Sequence, residues 1–360
     1  MEIILVLYFS ILIGIGVAAS KKVNNVSDYY VGGKKLNYWI AALSARATGE
    51  SGWLLLGVTG MGAVMGFSAF WIVLGEVLGV FLSWHFMAEK FKTLTDNYKS
   101  ITVPDFLHSH FNSKTNTIRI IAATALSAFV VIYVSAQIDI TGKAFESFLG
   151  YNYYFGILIG FGIVVAYIFS GGFLAVAWSD LFQGSIMFLA LLVLPITAYL
   201  QLPNKIAFLQ GLKDIDPALV NIWGDGGFTF MNFLSVIGLL SIGIGFLGSP
   251  QVYVRFIAIK NTQEIKKGKV VAVIYTLVSS SCAVMIGMIG RFMFTANSQN
   301  PETVLGTAGE NVLYLLLIEI MPTIVVGIYI AALLSAVMST VDSLLVVASS
   351  AVTRDFYQKI

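Results

Sequence analysis

The sequence predicts an all-α polytopic membrane protein. Of its 360 residues, 58% are hydrophobic and only 11% are charged, whereas a soluble domain carries roughly 25% charged residues. Long apolar runs recur along the chain, close to the roughly 20 residues that a helix needs to cross a bilayer. Polar residues interrupt some of these runs, and at bilayer depth such residues usually face a polar path and carry function. The composition therefore places the chain in a membrane, and the interruptions indicate where its function lies.

Nine spans are predicted in chain order. They lie at approximately 3–19, 37–60, 67–89, 118–142, 153–170, 176–200, 229–250, 270–292 and 323–351. The first run is not preceded by a basic segment, so it reads as a membrane helix rather than a cleaved signal. The stretch Asn311–Met321 is apolar but too short to span, which favours an interfacial or re-entrant helix. No low-complexity linker divides the chain, so residues 1–360 are expected to form one domain.

Basic residues are unevenly divided between the loops, and this division orients the chain. One set of loops holds Lys21, Lys22, Lys34, Lys35, Lys90, Lys92, Lys99, Lys114, Arg119, Arg255, Lys260, Lys266, Lys267, Lys269, Arg354 and Lys359, and the opposite set holds Lys143, Lys205, Lys213 and Arg291. The richer side is expected to be cytoplasmic. The prediction is a multi-pass protein of the cell membrane with its N-terminus outside and its C-terminus in the cytoplasm.

Several classes of site are excluded by composition. A single cysteine, Cys282, excludes an intramolecular disulfide and a cysteine-rich metal site. The three histidines, His85, His108 and His110, lack the spacing of a zinc site. Neither a nucleophile–base pair nor an H-E-x-x-H motif indicates catalysis. An enzyme is therefore not expected, and no nucleic-acid partner is expected either.

The most informative polar cluster lies in the last span. Ser339, Thr340, Asp342 and Ser343 interrupt the apolar run 324–352. Ser339 lies three residues before Asp342 and four before Ser343, so on a helix these side chains share a face. Hard oxygen donors without nearby Cys or His suit a small hard cation such as Na⁺.

The second span is interrupted by the sequence Ala45-Arg-Ala-Thr-Gly-Glu-Ser-Gly-Trp53. Two glycines and four polar side chains disfavour a continuous helix. A broken helix at this depth must line a cavity or be buried in protein, and its free carbonyls can coordinate Na⁺. Arg46 and Glu50 are four residues apart and are expected to pair. The alternative is close packing of helices by small residues, which leaves these two charges unexplained.

Other polar residues inside spans leave two interpretations open. Asp180 is either an ion ligand or a carboxylate stabilised by a helix N-terminus. Glu76 and Asp139 are either functional or buried partners of polar neighbours such as Gln137 or Lys143. A group of mid-span residues either lines a small-solute pocket or packs between helices: Tyr133, Gln137, Ile242 and Phe246.

Three longer motifs carry a resemblance to a known family. They are Gly171-Gly-Phe-Leu-Ala-Val-Ala-Trp-Ser-Asp180, Phe246-Leu-Gly-Ser-Pro-Gln-Val-Tyr-Val-Arg-Phe-Ile-Ala-Ile-Lys260, and Ala336-Val-Met-Ser-Thr340 followed by Ala348-Ser-Ser-Ala-Val-Thr-Arg-Asp355. With these motifs the chain resembles the sodium:solute symporter family, most closely its sodium/proline branch. The matching positions extend over nearly the whole chain.

The resemblance implies a leucine-transporter-like fold of two inverted repeats with one extra N-terminal helix. The first repeat would occupy about 37–200 and a partial second repeat about 229–351. The chain stops just past the eighth core helix, so the second repeat is expected to be incomplete. We accordingly expect that the 360-residue chain alone does not carry out coupled transport.

The resemblance also implies a set of site residues. The sodium site would use the carbonyls of Ala47, Glu50 and Ala336 and the side chains of Ser339 and Thr340. A possible second cation site would use Asp180, Asp342 and Ser343 together with Ser339. The substrate site would include Ser51, Gly52, Tyr133, Gln137, Ile242 and Phe246. Na⁺ is the only metal, acting as the coupling ion, and no other cofactor is expected.

The chain departs from the proline carriers near these positions. Those carriers have Asp-Met where this chain has Gly49-Glu50, a Tyr where it has Phe246 and a Trp where it has Ile242. The predicted function is a sodium-coupled symporter that imports a small organic solute, with a proline-type amino acid as first choice. Another amino acid, pantothenate or a small carboxylate remains open, as do proton coupling through Glu50, Asp180 or Asp342 and a solute-sensing membrane domain. The partners expected are the solute, Na⁺ and the lipid bilayer, and the sequence leaves the oligomeric state unknown.

Overall fold

The computed structural model describes residues 1–202, 204–297 and 299–358, and these residues are almost entirely helical. The helices in chain order are α1 (Glu2–Ser20), α2 (Val26–Val31), α3 (Tyr38–Trp53), α4 (Thr59–Met65), α5 (Phe70–Leu82), α6 (Ala88–Asn97), α7 (Val103–His110), α8 (Thr117–Leu149), α9 (Tyr153–Gln201), α10 (Phe208–Ile215), α11 (Phe230–Ser241), α12 (Pro250–Ala258), α13 (Thr262–Phe294), α14 (Glu302–Leu305), α15 (Val312–Ile320) and α16 (Thr323–Ser350). Short 3₁₀ or π turns join several of them, including Leu54–Val58 and Ile242–Gly248.

Asparagine and threonine side chains fix where several helices begin. Asn37 accepts a hydrogen bond from the N–H of Ile40 at the start of α3, and Asn261 does the same for Glu264 at the start of α13. Thr102 caps α7 through the N–H of Asp105. Each cap satisfies an N–H that the first helical turn leaves without a partner.

Within the described residues, seven helical runs are long and apolar enough to cross a membrane. They are Glu2–Ser20, Tyr38–Asn97, Thr117–Leu149, Tyr153–Gln201, Phe230–Gly248, Thr262–Phe294 and Thr323–Tyr357. Two of the seven reverse direction, so the described part of the chain forms nine apolar passes. The nine predicted spans correspond to these passes, since 37–60 and 67–89 lie within the run Tyr38–Asn97 and 153–170 and 176–200 lie within Tyr153–Gln201.

The first reversal lies between α4 and α5. The N–H of Tyr38 donates to Glu264 at the start of α13, and Glu50 accepts from Ser279 about halfway along α13. Beyond Gly66, which has φ 57° and ψ −130°, the chain returns along the same helix and Trp84 packs against Gly268.

The second reversal occurs inside α9. Gly172 has φ 53° and ψ −146°, a conformation that favours glycine. Before it, Tyr167 lies against Gly16 near the end of α1. After it, Gln183 donates to the hydroxyl of Tyr8, near the start of α1, at 2.9 Å. The two halves of α9 therefore run in opposite directions along α1.

The α16 helix lies at the centre of the molecule, with all of its residues from 329 to 344 buried. It contacts α1, α3, α8 and α9. The α15 helix is too short to span, as expected for this apolar stretch, and packs against α13 and α4.

One end of the molecule collects the basic loop residues. Lys34 pairs with Asp96 at 2.9 Å, and Arg119 pairs with Asp105 at 2.8 Å. An isolated parallel β-bridge between Leu36 and Ile259 lies in the same region. The assignment of Arg255 to a loop was wrong, because this residue lies in α12 with none of its surface exposed. Lys359, which the sequence analysis placed at this end, lies outside the described residues.

Candidate functional site

The predicted break in the second span is present, and it frees backbone carbonyls. Ser51 has φ 51° and ψ −177°, so the helical hydrogen-bond ladder of α3 is interrupted there. The N–H of Gly52, which in a regular helix would bond the carbonyl of Thr48, donates to Gln137 at 3.2 Å. The carbonyl of Thr48 instead accepts the hydroxyl of Thr340 at 3.2 Å.

Four of the five predicted sodium ligands meet where this break faces α16. The Ser339 hydroxyl lies 3.0 Å from the carbonyl oxygen of Ala47 and 3.3 Å from that of Ala336. The Thr340 hydroxyl lies 3.0 Å from the carbonyl oxygen of Ala336. All four residues are buried. Neutral oxygen donors of this kind suit a small hard cation, so the residues present fit a sodium ion.

Glu50 is oriented away from this cluster. Its carbonyl accepts the N–H of Leu54, and its carboxylate accepts from Arg46 at 2.8 Å and from Ser279 at 2.7 Å. The predicted pairing of Arg46 with Glu50 is confirmed. The role of the Glu50 carbonyl as a sodium ligand stays a prediction, and the Thr48 carbonyl, which sequence reasoning missed, accepts the Thr340 hydroxyl at 3.2 Å.

The residues predicted for a second cation site meet around a buried guanidinium. Arg255 Nη2 lies 2.7 Å from Asp180 Oδ2 and also donates to the Ser343 hydroxyl. That hydroxyl in turn donates to Asp342 Oδ1 at 3.1 Å. Asp180 and Asp342 are both fully buried. The guanidinium of Arg255, a residue assigned to a loop from the sequence, therefore pairs with Asp180 and reaches Asp342 through Ser343. The second cation site stays a prediction.

Other residues of this network were missed, among them Ser179, which donates to Asp342 Oδ2 at 3.4 Å. Ser44 donates to Asp180 at 2.6 Å and accepts from Arg255 Nε at 2.9 Å. The hydroxyl of Tyr167 donates to Asp342 Oδ2 at 2.7 Å. Thr48 links this network to the first cluster, because its hydroxyl contacts Arg255 Nη2 at 3.3 Å and lies 2.6 Å from the carbonyl oxygen of Ser339. The sequence did contain a signal for a basic partner here: neither Asp180 nor Asp342 has a Lys or Arg nearby in the same span, and buried charges are normally paired.

A cavity of about 500 Å³ lies on the other side of the break. Four predicted substrate residues line it, together with aromatic side chains that were not predicted: Ser51, Tyr133, Ile242 and Phe246, with Trp53 and Phe129. Gln137 adjoins it through its bond to Gly52, and the Tyr133 hydroxyl bonds Ser51. Its size and mixed apolar and polar lining suit a small organic solute.

The two remaining carboxylates have different surroundings. Glu76 is buried and accepts the hydroxyl of Ser280 on α13. Asp139 is partly exposed and pairs with Lys143 at 3.1 Å and with the hydroxyl of Tyr153 at 2.7 Å. Asp139 therefore pairs with Lys143 as the partner interpretation expects, but at a partly exposed position. Glu76 is a buried carboxylate that bonds a polar neighbour, Ser280, and lies near the Arg46–Glu50 pair.

Comparison with solved structures identifies the same architecture elsewhere. A Na⁺-coupled sialic acid symporter, solved in a substrate-bound outward-open state, superposes with a TM-score of 0.83 over 100% of this chain and 74% of the other. The sequences are 20% identical, so this likeness concerns the fold. It establishes the leucine-transporter-like helical architecture.

Sequence comparison gives the family. The model of the sodium:solute symporter family matches residues 29–360. The high-affinity proline transporter PutP of Bacillus subtilis is 36% identical over 348 residues, which cover 96% of this chain and 71% of the relative. The sodium/proline symporter of Staphylococcus aureus is 34% identical over 364 residues, covering 99% and 68%. The chain therefore belongs to the sodium:solute symporter family.

Proposed function

We propose that this protein couples the binding of Na⁺ to the import of a small organic solute, with a proline-type amino acid as the first candidate. The observation that carries the proposal is the meeting of the Ala47 and Ala336 carbonyls with the Ser339 and Thr340 hydroxyls, at 3.0–3.3 Å, beside the break in α3. The cavity lies on the other side of the same break.

The coupling follows from the short path between the two sites. Na⁺ held by Ala47 and Ser339 would fasten the first half of α3 to α16 and so fix the position of the break. Ser51, four residues after Ala47, would then present its backbone and hydroxyl to the solute. Since each ligand orders the segment that the other needs, each raises the affinity for the other. Movement of the repeats around these sites would release both on the opposite side.

The solute class rests on the relatives and on the cavity. Two relatives are proline transporters by name, which favours an amino acid. Ile242 and Phe246 are less polar than the Trp and Tyr that proline carriers have at these positions. A solute with a larger apolar part than proline is the second candidate.

A second cation is proposed at the Arg255 network. Asp180 and Asp342 carry two negative charges against the single positive charge of Arg255, and Asp180 Oδ1 is buried without a hydrogen-bond partner among the described residues. One further small cation, Na⁺ or a proton, would balance the charge.

The same proposal covers the setting of the protein. Residues 1–360 belong to one domain of a carrier rather than of an enzyme, and the end that collects the lysines faces the cytoplasm, as the distribution of basic residues favours. The N-terminus would then lie outside.

Solute binding to the purified protein in lipid nanodiscs tests the function directly. Radiolabelled proline, other amino acids, pantothenate and small carboxylates would each be measured in sodium chloride and in choline chloride. We expect an amino acid to bind in sodium and to lose most of its affinity in choline. Equal binding in both salts would contradict sodium coupling, and sodium-dependent binding of pantothenate or a carboxylate alone would reassign the solute.

A further inference from the structure

A second cavity, of about 300 Å³, lies at the basic end of the molecule, away from the sites described above. Its lining combines ammonium groups with apolar and aromatic side chains: Lys22, Lys35, Leu36, Ile40, Leu174 and Trp178. It is bounded by the segment between α1 and α3 and by the second half of α9. None of its residues belongs to the proposed sodium or solute site.

The two lysines reach this cavity because of the local backbone. Gly32 and Gly33 both have left-handed φ values, 58° and 61°, and turn the chain sharply after α2. Lys34 then pairs with Asp96 at 2.9 Å, whereas its neighbour Lys35 lines the cavity. Lys22 approaches from the end of α1, with Nζ 4.8 Å from the centre of the Trp178 ring.

The cavity carries net positive charge. In the described part of the chain, neither Lys22 nor Lys35 forms an ion pair. The one carboxylate in the lining, Asp28, accepts the N–H of Asn24 at 3.1 Å. Two ammonium groups therefore face one carboxylate that is already hydrogen-bonded. An anionic group would complement this arrangement.

The aromatic and aliphatic lining indicates the depth of the cavity. Trp178 is only partly buried, and tryptophan concentrates where hydrocarbon meets headgroups. Ile40 and Leu174 extend the lining with apolar surface. Lysines beside an interfacial tryptophan and an apolar wall match a molecule with an anionic head and a hydrocarbon tail. Basic pockets between helices on the cytoplasmic side are of the kind that bind anionic headgroups.

We propose that this cavity binds the headgroup of an anionic phospholipid, with the phosphate between Lys22 and Lys35 and the acyl chains along Ile40, Leu174 and Trp178. The lipid would join the segment before α3 to α9. Because α3 carries the break, the bound lipid would stabilise the helix that holds both proposed sites. Lipid binding itself does not depend on the proposed transport function.

The test compares purified protein in nanodiscs of phosphatidylcholine with protein in nanodiscs that also contain phosphatidylglycerol. Native mass spectrometry would count retained phosphatidylglycerol, and thermal unfolding would report its effect on stability. The variant is Lys22→Ala/Lys35→Ala, and the matched control is Lys266→Ala/Lys267→Ala, which removes two exposed lysines from the same end. A further arm adds inorganic phosphate to the phosphatidylcholine sample.

We expect wild type and control to retain phosphatidylglycerol and to melt at a higher temperature in its presence, and the cavity variant to lose both effects. Inorganic phosphate alone should give no stabilisation, because it lacks acyl chains. Equal retention and stabilisation in the cavity variant would overturn the proposal, as would full stabilisation by inorganic phosphate. If the alanine variant melts early in both lipids, general destabilisation and loss of the lipid site are separated by Lys22→Gln/Lys35→Gln. This variant keeps much of the side-chain volume and should also lose lipid retention.

Discussion

Replacing Ser339 by alanine should weaken sodium binding without disrupting the fold. The Ser339 side chain is fully buried, and its hydroxyl lies 3.0 Å from the carbonyl oxygen of Ala47 on α3 and 3.3 Å from that of Ala336 on its own helix. Alanine removes one oxygen from the four that meet there and leaves a space of about one atom. The backbone carbonyls and the Thr340 hydroxyl remain in place.

The magnitude follows from the loss of one oxygen ligand. An interaction with a charged group is worth about 1.5–3 kcal/mol, which corresponds to a loss of sodium affinity of about 10- to 150-fold. The hydrogen bond between α3 and α16 in the sodium-free protein is worth only about 0.5–1.5 kcal/mol. The free energy lost from sodium binding should therefore exceed the free energy lost from the stability of the sodium-free protein, and the melting temperature without sodium should change little.

Isothermal titration of sodium chloride into protein held in choline chloride measures this effect. Ser350→Ala is the matched control, since this buried hydroxyl on the same helix bonds, among the described residues, only the carbonyl of Val347, at 2.7 Å. Thr340→Ala should behave like Ser339→Ala. Unchanged sodium affinity in both site variants, or an equal loss in the Ser350 control, would refute the assignment of these oxygens.

Three further outcomes are expected. Arg255→Met leaves Asp180 and Asp342 without their countercharge and should destabilise the protein by about 3–5 kcal/mol, measured as a lower melting temperature in nanodiscs. A variant as stable as wild type would show that the guanidinium does not balance these carboxylates. Gly172→Ala places a Cβ 2.6 Å from the Tyr29 carbonyl oxygen at φ 53° and should destabilise the protein by at least about 1–3 kcal/mol. Gly162→Ala, which has open space around it, should keep the wild-type melting temperature. Equal melting temperatures for the two variants would contradict backbone strain at Gly172. Gly245→Trp, at a cavity-lining position with open space beside it, fills part of the 500 Å³ cavity and should abolish binding of the solute identified in the panel. Ile244→Trp, at an exposed position outside the lining, should not, and retained binding in Gly245→Trp would place the solute elsewhere.

Much of the fold could be predicted because span length and local polarity determine it. The break at Ser51 followed from glycines and polar residues in an apolar run, and the pairing of Arg46 with Glu50 followed from their four-residue spacing. Both features depend on neighbours along one helix. The short α15 helix followed from its length alone.

Arg255 could not be predicted in the same way. Its short helix follows Gly-Ser-Pro in a region with many basic loop residues, so local composition indicated a loop. Its partners Asp180 and Ser343 are 75 and 88 residues away, and no periodicity connects such positions. The Thr48 carbonyl was missed for a related reason, because its release depends on the bond between Gly52 and Gln137, which lies 85 residues further on.

The central claim is that Na⁺ binds where the break in α3 meets α16. A cryo-electron microscopy map of the protein in nanodiscs with a bound antibody fragment, collected in sodium chloride and again in choline chloride, tests it most directly. The account predicts ion density among the oxygens of Ala47, Ala336, Ser339 and Thr340 in sodium only. A map in which these oxygens are well resolved, with the hydroxyls hydrogen-bonded to the carbonyls in both salts and no ion density among them, would contradict it.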